Sequence, residues 1–377
     1  MTAMEDPYSA GVANALAAGP LEHVARIVAT HPDWAQDITL EVDSASVTFD
    51  EGWAPHVQAT LQCRLPDDLG VLSDLDPRAG VRVQIETGYV LDGAEDVHLL
   101  ADLGLRSRTT LRPANLLRIQ ASGDEAILQD NLWSDSTPGA VPTTGLVEAV
   151  EWLIDQGTSG TYVLDSDIPT GYNAGALTEA AMPTGDDFWS VLSGVVDDGG
   201  AWVRDDGTRT FRLGERPSVA GVSRAQLATG PGGTVVDAEE SLDRDLWANA
   251  VLVRSAWRDS LGADRLVIAR SWVSSGDMAP GAAGWRWRRV DRSSPTTQAA
   301  ANAAAGAILQ RTVTRGRGHT IGAKAAYWLR PGQTVTVQPV SGDQERQIVA
   351  RVKFDLPSGL MTVTTRQPES VETTNGE

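Results

Sequence analysis

Polar and apolar side chains alternate at every step of residues 56–65, which read His56-Val57-Gln58-Ala59-Thr60-Leu61-Gln62-Cys63-Arg64-Leu65. A period of two is typical of an antiparallel strand with one buried and one solvated face. Similar runs occur at residues 38–49, 80–87, 97–101 and 116–121. Together they predict a small β-barrel or sandwich over residues 36–128. Cys63, on the apolar side of its strand, is interpreted as a small buried hydrophobic residue.

The pattern of polar and apolar residues changes several times in the rest of the chain. Residues 1–35 form an N-terminal segment with an alanine-rich stretch, which predicts a short helix. Residues 129–212 predict an α/β insertion, with two helices at 146–154 and 184–199 and a hairpin that turns at Asp205-Asp206-Gly207. Strands resume over 213–366, interrupted by an alanine-rich helix at about 294–312. Residues 367–377 are expected to be a mobile acidic tail. The fold class is therefore mainly β with α+β insertions.

The charge balance limits the function. The 377 residues include 31 basic and 50 acidic side chains, which gives a formal charge of -19. A protein that grips duplex DNA neutralises phosphates with clustered Lys and Arg, so the composition argues against that class. The first residues lack the basic region of a secretory signal, and no run of 18 apolar residues occurs. We expect synthesis in the cytoplasm and no stable association with a membrane.

Catalytic and metal-binding patterns are missing from the sequence. Cys63 is the single cysteine, and the five histidines are scattered without the spacing of a helical zinc site. The nearest string to a nucleophile elbow, residues 221–225, ends in alanine where glycine is required. We therefore predict a protein that is not an enzyme, with no catalytic residue, no cofactor and no metal.

The most unusual local pattern is Trp285-Arg286-Trp287-Arg288, followed by Arg289. As a strand it places Trp285, Trp287 and Arg289 on one face and Arg286 with Arg288 on the other. Such a face can stack on bases or sugars. The alternative is that the indole rings pack in a core or a subunit contact while the arginine stems cover apolar surface. The candidate interaction site consists of Trp285, Arg286, Trp287 and Arg288.

The order of segments resembles a known family. The segments that carry the resemblance are Ile38 to Asp50, the strand to Leu65, Ala79-Gly80-Val81-Arg82-Val83, Asp187-Phe188-Trp189, Asp205-Asp206-Gly207, Trp247 to Val253, Leu329 to Val335 and Gly359 to Arg366. In this order they resemble the baseplate-hub, or tail-tip hub, minor tail proteins of long-tailed phages, in particular a family frequent in phages of actinobacteria. Gln333 stands where that family usually has Asp.

The resemblance implies a fold and a role. It implies two barrels similar to tail-tube subunits, the first over residues 36–128 and the second built from strands near 213–272 and 320–366. It also implies a homotrimer that caps the tail tube, seats the distal tail protein ring and the tail fibre or receptor-binding proteins, meets the tape-measure protein and opens for DNA ejection. The expected location is the virion tail tip, after assembly in the host cytoplasm.

Two other functions stay open. The first is an adsorption protein that binds host-surface glycans through Trp285 and Trp287, and the second, weaker one is a tail-associated peptidoglycan hydrolase. In the hub interpretation, genome DNA passes through the ring without specific binding. The charge of -19 then suggests the hypothesis that acidic side chains line the bore and repel phosphates.

Overall fold

The computed structural model describes residues 8, 10–19, 21–142, 144–158, 162–169, 172, 181–230, 233–242, 247–258, 263–292, 296–313, 317–338, 344–368 and 373–376. The first half of the chain contains α1 (Ala10–Ala18), β1 (Glu22–Thr30), β2 (Ile38–Thr39), β3 (Val42–Asp50), β4 (Val57–Arg64), α2 (Leu69–Asp74), β5 (Arg82–Leu91), β6 (Ala94–Leu111), β7 (Leu116–Ser122), α3 (Glu125–Asp130), β8 (Gly139–Ala140), α4 (Leu146–Thr158), β9 (Val163–Ser166) and β10 (Ala181–Met182). The second half contains α5 (Phe188–Asp198), β11 (Trp202–Asp205), β12 (Thr210–Gly214), β13 (Ser223–Ala228), β14 (Val235–Leu242), β15 (Ala250–Arg258), β16 (Asp264–Val273), α6 (Pro280–Ala283), β17 (Trp287–Arg292), α7 (Gln298–Val313), β18 (Arg317–Lys324), β19 (Thr334–Gln338), β20 (Glu345–Leu356), β21 (Leu360–Arg366) and β22 (Thr373–Gly376).

A 13-stranded sheet dominates the molecule. Its main path runs β14-β18-β21-β20-β3-β4-β7-β6-β5-β1-β2, with β19 beside β20 and β13 beside β19. β4 shows the predicted alternation, because Val57, Ala59, Leu61 and Cys63 are buried while the residues between them are more exposed. β20 pairs with β3 through its second half, so this one ladder joins the strands of the first part of the chain to those of the last part. The fold is mainly β, as predicted.

The two predicted barrels are not seen as closed rings of strands. Among the described residues, the end strands β14 and β2 of the sheet do not pair with each other. The N-terminal segment also takes part in the sheet, since β1 pairs with β5 over nine residues. The division of the chain into domains therefore stays a prediction, although one apolar core joins both halves of the sheet.

The middle of the chain forms an α/β unit. β11 and β12 pair as the predicted hairpin, and β9 adds in parallel to β12. Helices α4 and α5 cover this sheet with a separate core that includes Leu153 and Leu192. α5 begins at Phe188 because the Asp187 side chain accepts a hydrogen bond from the Ser190 backbone N–H, at 2.8 Å. The helix therefore begins four residues after the expected cap at Thr184.

A separate four-stranded sheet takes segments that the sequence interpretation assigned elsewhere. Its order is β17-β15-β16-β22. β15 and β16 were expected in the second barrel, but they pack against α7 through Val251, Val253 and Ala305. α7 begins at Gln298, later than the predicted residue 294, and the Thr297 hydroxyl accepts a hydrogen bond from Ala300 N. Residues 293–295 lie outside the described part.

A short strand lies within the segment 367–377 that is expected to be a mobile tail. β22 pairs with β16, with Thr374 opposite Trp272 in the register. Residues 369–372 and 377 lie outside the described part of the chain. The backbone pairing thus brings residues 373–376 into the four-stranded sheet.

Candidate interaction surface

The four-stranded sheet has one covered and one open face. Side chains alternate between the two faces of β15. Val251 and Val253 point to α7, so Leu252 and Arg254 point to the opposite side. We call that opposite side the aromatic face, and the larger side chains on it are Leu252, Arg254, Arg258, Asp264, Leu266, Ile268, Arg270, Trp272, Trp285, Trp287, Arg289 and Asp291. The large apolar side chains Leu266, Ile268, Trp285 and Trp287 on this face are exposed.

Three indole rings lie together at one end of the aromatic face. Trp285 and Trp287 stack with ring centroids 5.1 Å apart and planes only 4° from parallel. Trp272 meets Trp285 edge to face, with centroids 6.2 Å apart. Trp285 is 56% exposed and Trp287 is 45% exposed. The predicted alternation of the strand is confirmed, and the rings stand against each other on the open side of the sheet.

The arginines of this segment are divided between the two sides. The Nη1 atom of Arg288 is 3.5 Å from the hydroxyl of Thr312 on α7, so this side chain lies on the covered side. The Arg286 side chain is half-buried. Arg289 instead points to the open side, where it donates to Asp291 at 2.7 Å. Arg289 thus lies on the side of the two tryptophans and Arg288 on the opposite side, which is the division that the strand alternation predicted.

Asn249 holds the segment that presents the tryptophans. Its buried side-chain amide donates to the carbonyls of Met278, at 3.0 Å, and Gly284, at 2.8 Å. Its carbonyl oxygen accepts from Arg286 N at 2.8 Å. Asn249 thus fixes the loop immediately before Trp285 through three hydrogen bonds. The sequence interpretation noted this Asn only as part of a family-like strand. A polar side chain at the entrance of an apolar strand was the available signal.

A second polar site is buried between the large sheet and the α/β unit. A small cavity forms where the two halves of the large sheet meet the α/β unit, and we call its surroundings the central junction: Phe49, Asp50, His56, Val57, Trp202, Arg204, Asp205, Asp206, Arg330 and Pro331. Arg204 lies 4.1 Å above the Trp202 ring, and Arg330 lies 4.3 Å above the Phe49 ring. Burial lowers the pKa of each guanidinium to about 10.

Buried carboxylates hold the α/β unit at this junction. Glu125 is fully buried and accepts hydrogen bonds from the backbone N–H of Asp205, at 2.7 Å, and of His56, at 2.5 Å. Its Oε1 also lies 2.5 Å from His56 Nδ1. Asp205 in turn accepts from Asp124 N at 2.6 Å and Gly207 N at 2.9 Å. Burial is the largest cause of the raised pKa of the Asp205 carboxyl, and the nearby negative charges of Glu125 and Asp124 raise it further.

Sequence reasoning missed this junction. It interpreted Asp205-Asp206-Gly207 as turn residues, and the turn is present, but their partners lie about 80 positions earlier in the chain. Within the described residues, no group of three or more His, Cys, Asp or Glu side chains is arranged to hold a metal ion. None of the described helices is long and apolar enough to cross a membrane.

Comparison with known proteins finds similar structures but no similar sequences. No protein-family model matches the sequence, and no curated protein matches it. The structure is similar to the tail protein from Neisseria meningitidis MC58, with a TM-score of 0.63 and 13% identity over 92% of this chain and 96% of that chain. It is also similar to the 43 kDa tail protein of prophage MuSo2 from Shewanella oneidensis, with a TM-score of 0.61 and 10% identity over 92% of this chain and 100% of that chain.

A third similar structure is the prophage tail protein gp18 from Listeria monocytogenes EGD-e. Its TM-score is 0.53, with 12% identity over 92% of this chain and 95% of that chain. The resemblance to phage tail proteins that the sequence predicted is thus confirmed at the level of the fold. At identities of 10 to 13%, the similarity is one of architecture.

Proposed function

We propose that this chain is a structural protein of the phage tail, and that it serves as the hub of the tail tip. The observation that carries the proposal is the extent of the structural similarity, which spans 92% of this chain and almost the whole of three tail proteins. A match of that extent includes the large sheet and the insertions together. The role we assign is architectural and needs no catalytic group. The actinobacterial type of phage is part of the proposal.

The hub requires copies of the chain to form a closed ring, and we propose a homotrimer with two tail-tube-like barrels in each copy. The ladder between β3 and β20 supports this arrangement, since it places two sets of strands side by side in one sheet. One barrel then takes strands within residues 36–128 and the other takes strands within 213–366. The α/β unit of residues 129–212 lies between them in the chain.

We assign the passage of DNA to the face of the large sheet that points away from the apolar core. Its side chains are mostly small, polar and uncharged: Ser44, Ser46, Gln58, Thr60, Gln62, Gln120, Thr362 and Thr364. Asp355 lies 2.7 Å from Lys353 and Asp50 lies 3.7 Å from Arg351, and the register places Arg118, Asp237 and Glu239 on the same face. Such a wall is close to neutral, so it neither holds phosphates nor repels them strongly. This proposal replaces the acidic bore suggested by the net charge.

The other partners follow from the same role. We propose that the hub contacts the distal tail protein ring, the tape-measure protein and the tail fibre or receptor-binding proteins, and that it joins the virion tail tip after assembly in the host cytoplasm. The hub opens for ejection of the genome. No stable association with a membrane is required for any of these steps.

Electron microscopy of tails tests the function. Tails from a phage that lacks this gene are expected to have no tip, or not to assemble, and complementation with the intact gene restores them. A cryo-EM reconstruction of the virion is expected to place three copies at the end of the tube. Normal tail tips in the deletion mutant, or a position along the tube wall, would overturn the hub proposal.

A second candidate function is supported by the exposure of Trp285 and Trp287. Large amphipathic rings on a protein surface mark contacts with partners, and host-surface glycans are one class of partner. The double variant Trp285→Ala, Trp287→Ala separates the candidates. Loss of binding to host cell walls with intact tails supports adsorption, whereas defective tails with unchanged cell-wall binding support an assembly role.

A further inference from the structure

The aromatic face has the composition of a protein interface. Trp285 and Trp287 are about half exposed, and Leu266 and Ile268 on β16, two strands away from β17, are 55% and 37% exposed. These four belong to the same side of one small sheet. Trp and Arg are the residue types that dominate the energy of interfaces, especially when they are clustered. Stacking of the two indoles covers one ring face of each, which suits a broad protein contact better than a sugar platform.

The aromatic face is also basic, in contrast to the chain as a whole. Arg254, Arg270 and Arg289 project from it, and Asp291 on the same side lies 2.7 Å from Arg289 and 3.7 Å from Arg254. With the Arg258–Asp264 pair at the far end of the same side, four arginines stand against two aspartates, which leaves an excess of positive charge, whereas the whole chain carries -19. Arg270 is exposed and forms no ion pair with another residue in the described ranges. A partner surface that matches this face is apolar and acidic.

The same chain displays such a surface on β14. This strand pairs with β18 on one side and is the end of the large sheet in the described part of the chain. Its exposed side chains include Val236, at 69%, and the acids Asp237 and Glu239. An edge strand with exposed backbone groups and an apolar side chain is a template for association. β14 thus offers the opposite charge and a matching apolar residue.

We propose that the aromatic face binds strand β14 of a second copy of this chain. This proposal deepens the hub function and rests on it, because a ring of copies needs a contact between different surfaces of adjacent molecules. Such a head-to-tail contact forms a closed ring when the rotation between copies closes. Trp285 and Trp287 pack on Val236 of the neighbour, and Arg270 faces Glu239 and Asp237. Opposite charges fix which side of β14 meets the sheet.

Sedimentation of the full-length purified chain over a series of concentrations tests the contact. The wild type is expected to associate, and Trp285→Ala with Trp287→Ala to weaken association by at least about tenfold. Trp53→Ala is the matched control, because Trp53 is 38% exposed and lies away from the aromatic face. Circular dichroism shows that each variant is folded.

Charge reversal gives the sharper result. Arg270→Glu and Glu239→Arg are each expected to weaken association by about tenfold or more, and the two together in one chain to recover most of it. Arg118→Glu, on the large sheet, is the control and leaves association unchanged. No recovery in the combined variant, or a wild type that stays monomeric at every concentration, overturns this contact.

The outcomes also separate this contact from the hub function. If virion tips contain three copies but the aromatic-face variants associate normally, the contact is overturned and the hub function stands. If the variants lose only binding to host cell walls, the occupant of this face is a glycan and the contact is overturned. If the protein is absent from the tail tip, the hub function itself fails.

Discussion

Two short strands of this protein carry the same kinds of side chain and meet opposite environments. Trp202-Val203-Arg204 begins β11 at the central junction, and Trp285-Arg286-Trp287-Arg288 leads into β17 on the four-stranded sheet. Trp202 is only 7% exposed, whereas Trp285 is 56% exposed. At the junction, elements from three parts of the chain close around the indole. On the aromatic face the indole rings remain exposed, so they are available to contact a partner.

The difference shows what a buried charge requires. Arg204 lies over an aromatic ring near several carboxylates, and burial still lowers its pKa to about 10. Arg289 stays exposed, and its hydrogen bond to Asp291 raises its pKa. A buried charge is tolerated only with compensating partners, whereas an exposed one needs none. Removal of one partner at the junction is therefore expected to destabilise the fold, whereas the aromatic face is free to bind.

The largest expected effect is the loss of Glu125 from the junction. Glu125→Ala removes the acceptor of three short contacts and leaves the backbone N–H groups of His56 and Asp205 buried without partners. The free energy of unfolding is expected to fall by about 4 kcal/mol, measured by urea denaturation. Glu151→Ala, at an exposed position of α4, is the control and changes it by less than about 0.5 kcal/mol. A small effect at Glu125 would show that the junction does not hold the α/β unit.

Removal of the same side chain at the two sites tests the comparison directly. Trp202→Ala is expected to lower the free energy of unfolding by about 3 kcal/mol, because it opens a cavity among buried groups. Trp285→Ala is expected to cost less than about 1 kcal/mol in dilute protein. Thermal and urea unfolding of both variants gives the two values. Equal losses would mean that Trp285 is part of a core after all.

The aromatic face depends on a buried anchor, and its loss has an intermediate effect. Asn249→Ala leaves the Met278 and Gly284 carbonyls and Arg286 N without their partner. We expect a loss of about 2 kcal/mol in the free energy of unfolding, together with a change in the fluorescence of Trp285 and Trp287. The control is Asn302→Ala on α7, with an expected change within about 0.5 kcal/mol. Unchanged fluorescence would show that the loop holds the rings without Asn249.

The smallest effects concern pH, and the two sites are expected to differ in sign. Burial raises the pKa of Asp205, so its contribution to stability is complete below the unfolded pKa of about 3.9 and is lost as pH rises through the native pKa. The hydrogen bond from Arg289 lowers the pKa of Asp291, so the contribution of Asp291 exists above the unfolded pKa and is lost as pH falls through the native one.

Unfolding measured across pH for the wild type, Asp205→Asn and Asp291→Asn checks both signs. The advantage of the wild type over Asp205→Asn is expected to shrink as pH rises, and its advantage over Asp291→Asn to shrink as pH falls. The Asp291 effect is the smaller one, because solvent screens an exposed pair. Slopes of the same sign in both comparisons would contradict the distinction between the two sites.

Local pattern predicted much of the fold. The alternation at residues 57–63 gave a strand with the expected buried face, and the hairpin around Asp205-Asp206-Gly207 formed where the turn residues indicated. The strand at Trp287 also presents its side chains in the predicted alternation. These features depend on residues close in sequence, where backbone geometry dictates which side chains share a face.

Assignment of strands to sheets was not predictable in the same way. β15 and β16 alternate like the strands of the large sheet, yet they pair with β17 and β22 under α7. A period of two says that one face is buried but not which element buries it. The same holds for the partners of Glu125, which lie 69 and 80 positions away in the chain.

The sequence by itself determined the strands, the helix-and-hairpin insertion, the acidic charge and the order of segments that resembles phage tail proteins. Each of these follows from local periodicity, turn chemistry or composition. Only the tertiary structure decided that Trp202 and Arg204 are enclosed while Trp285 and Trp287 stay open. Burial depends on what packs above a strand, and that is set by contacts between residues far apart in the chain, which no local pattern specifies.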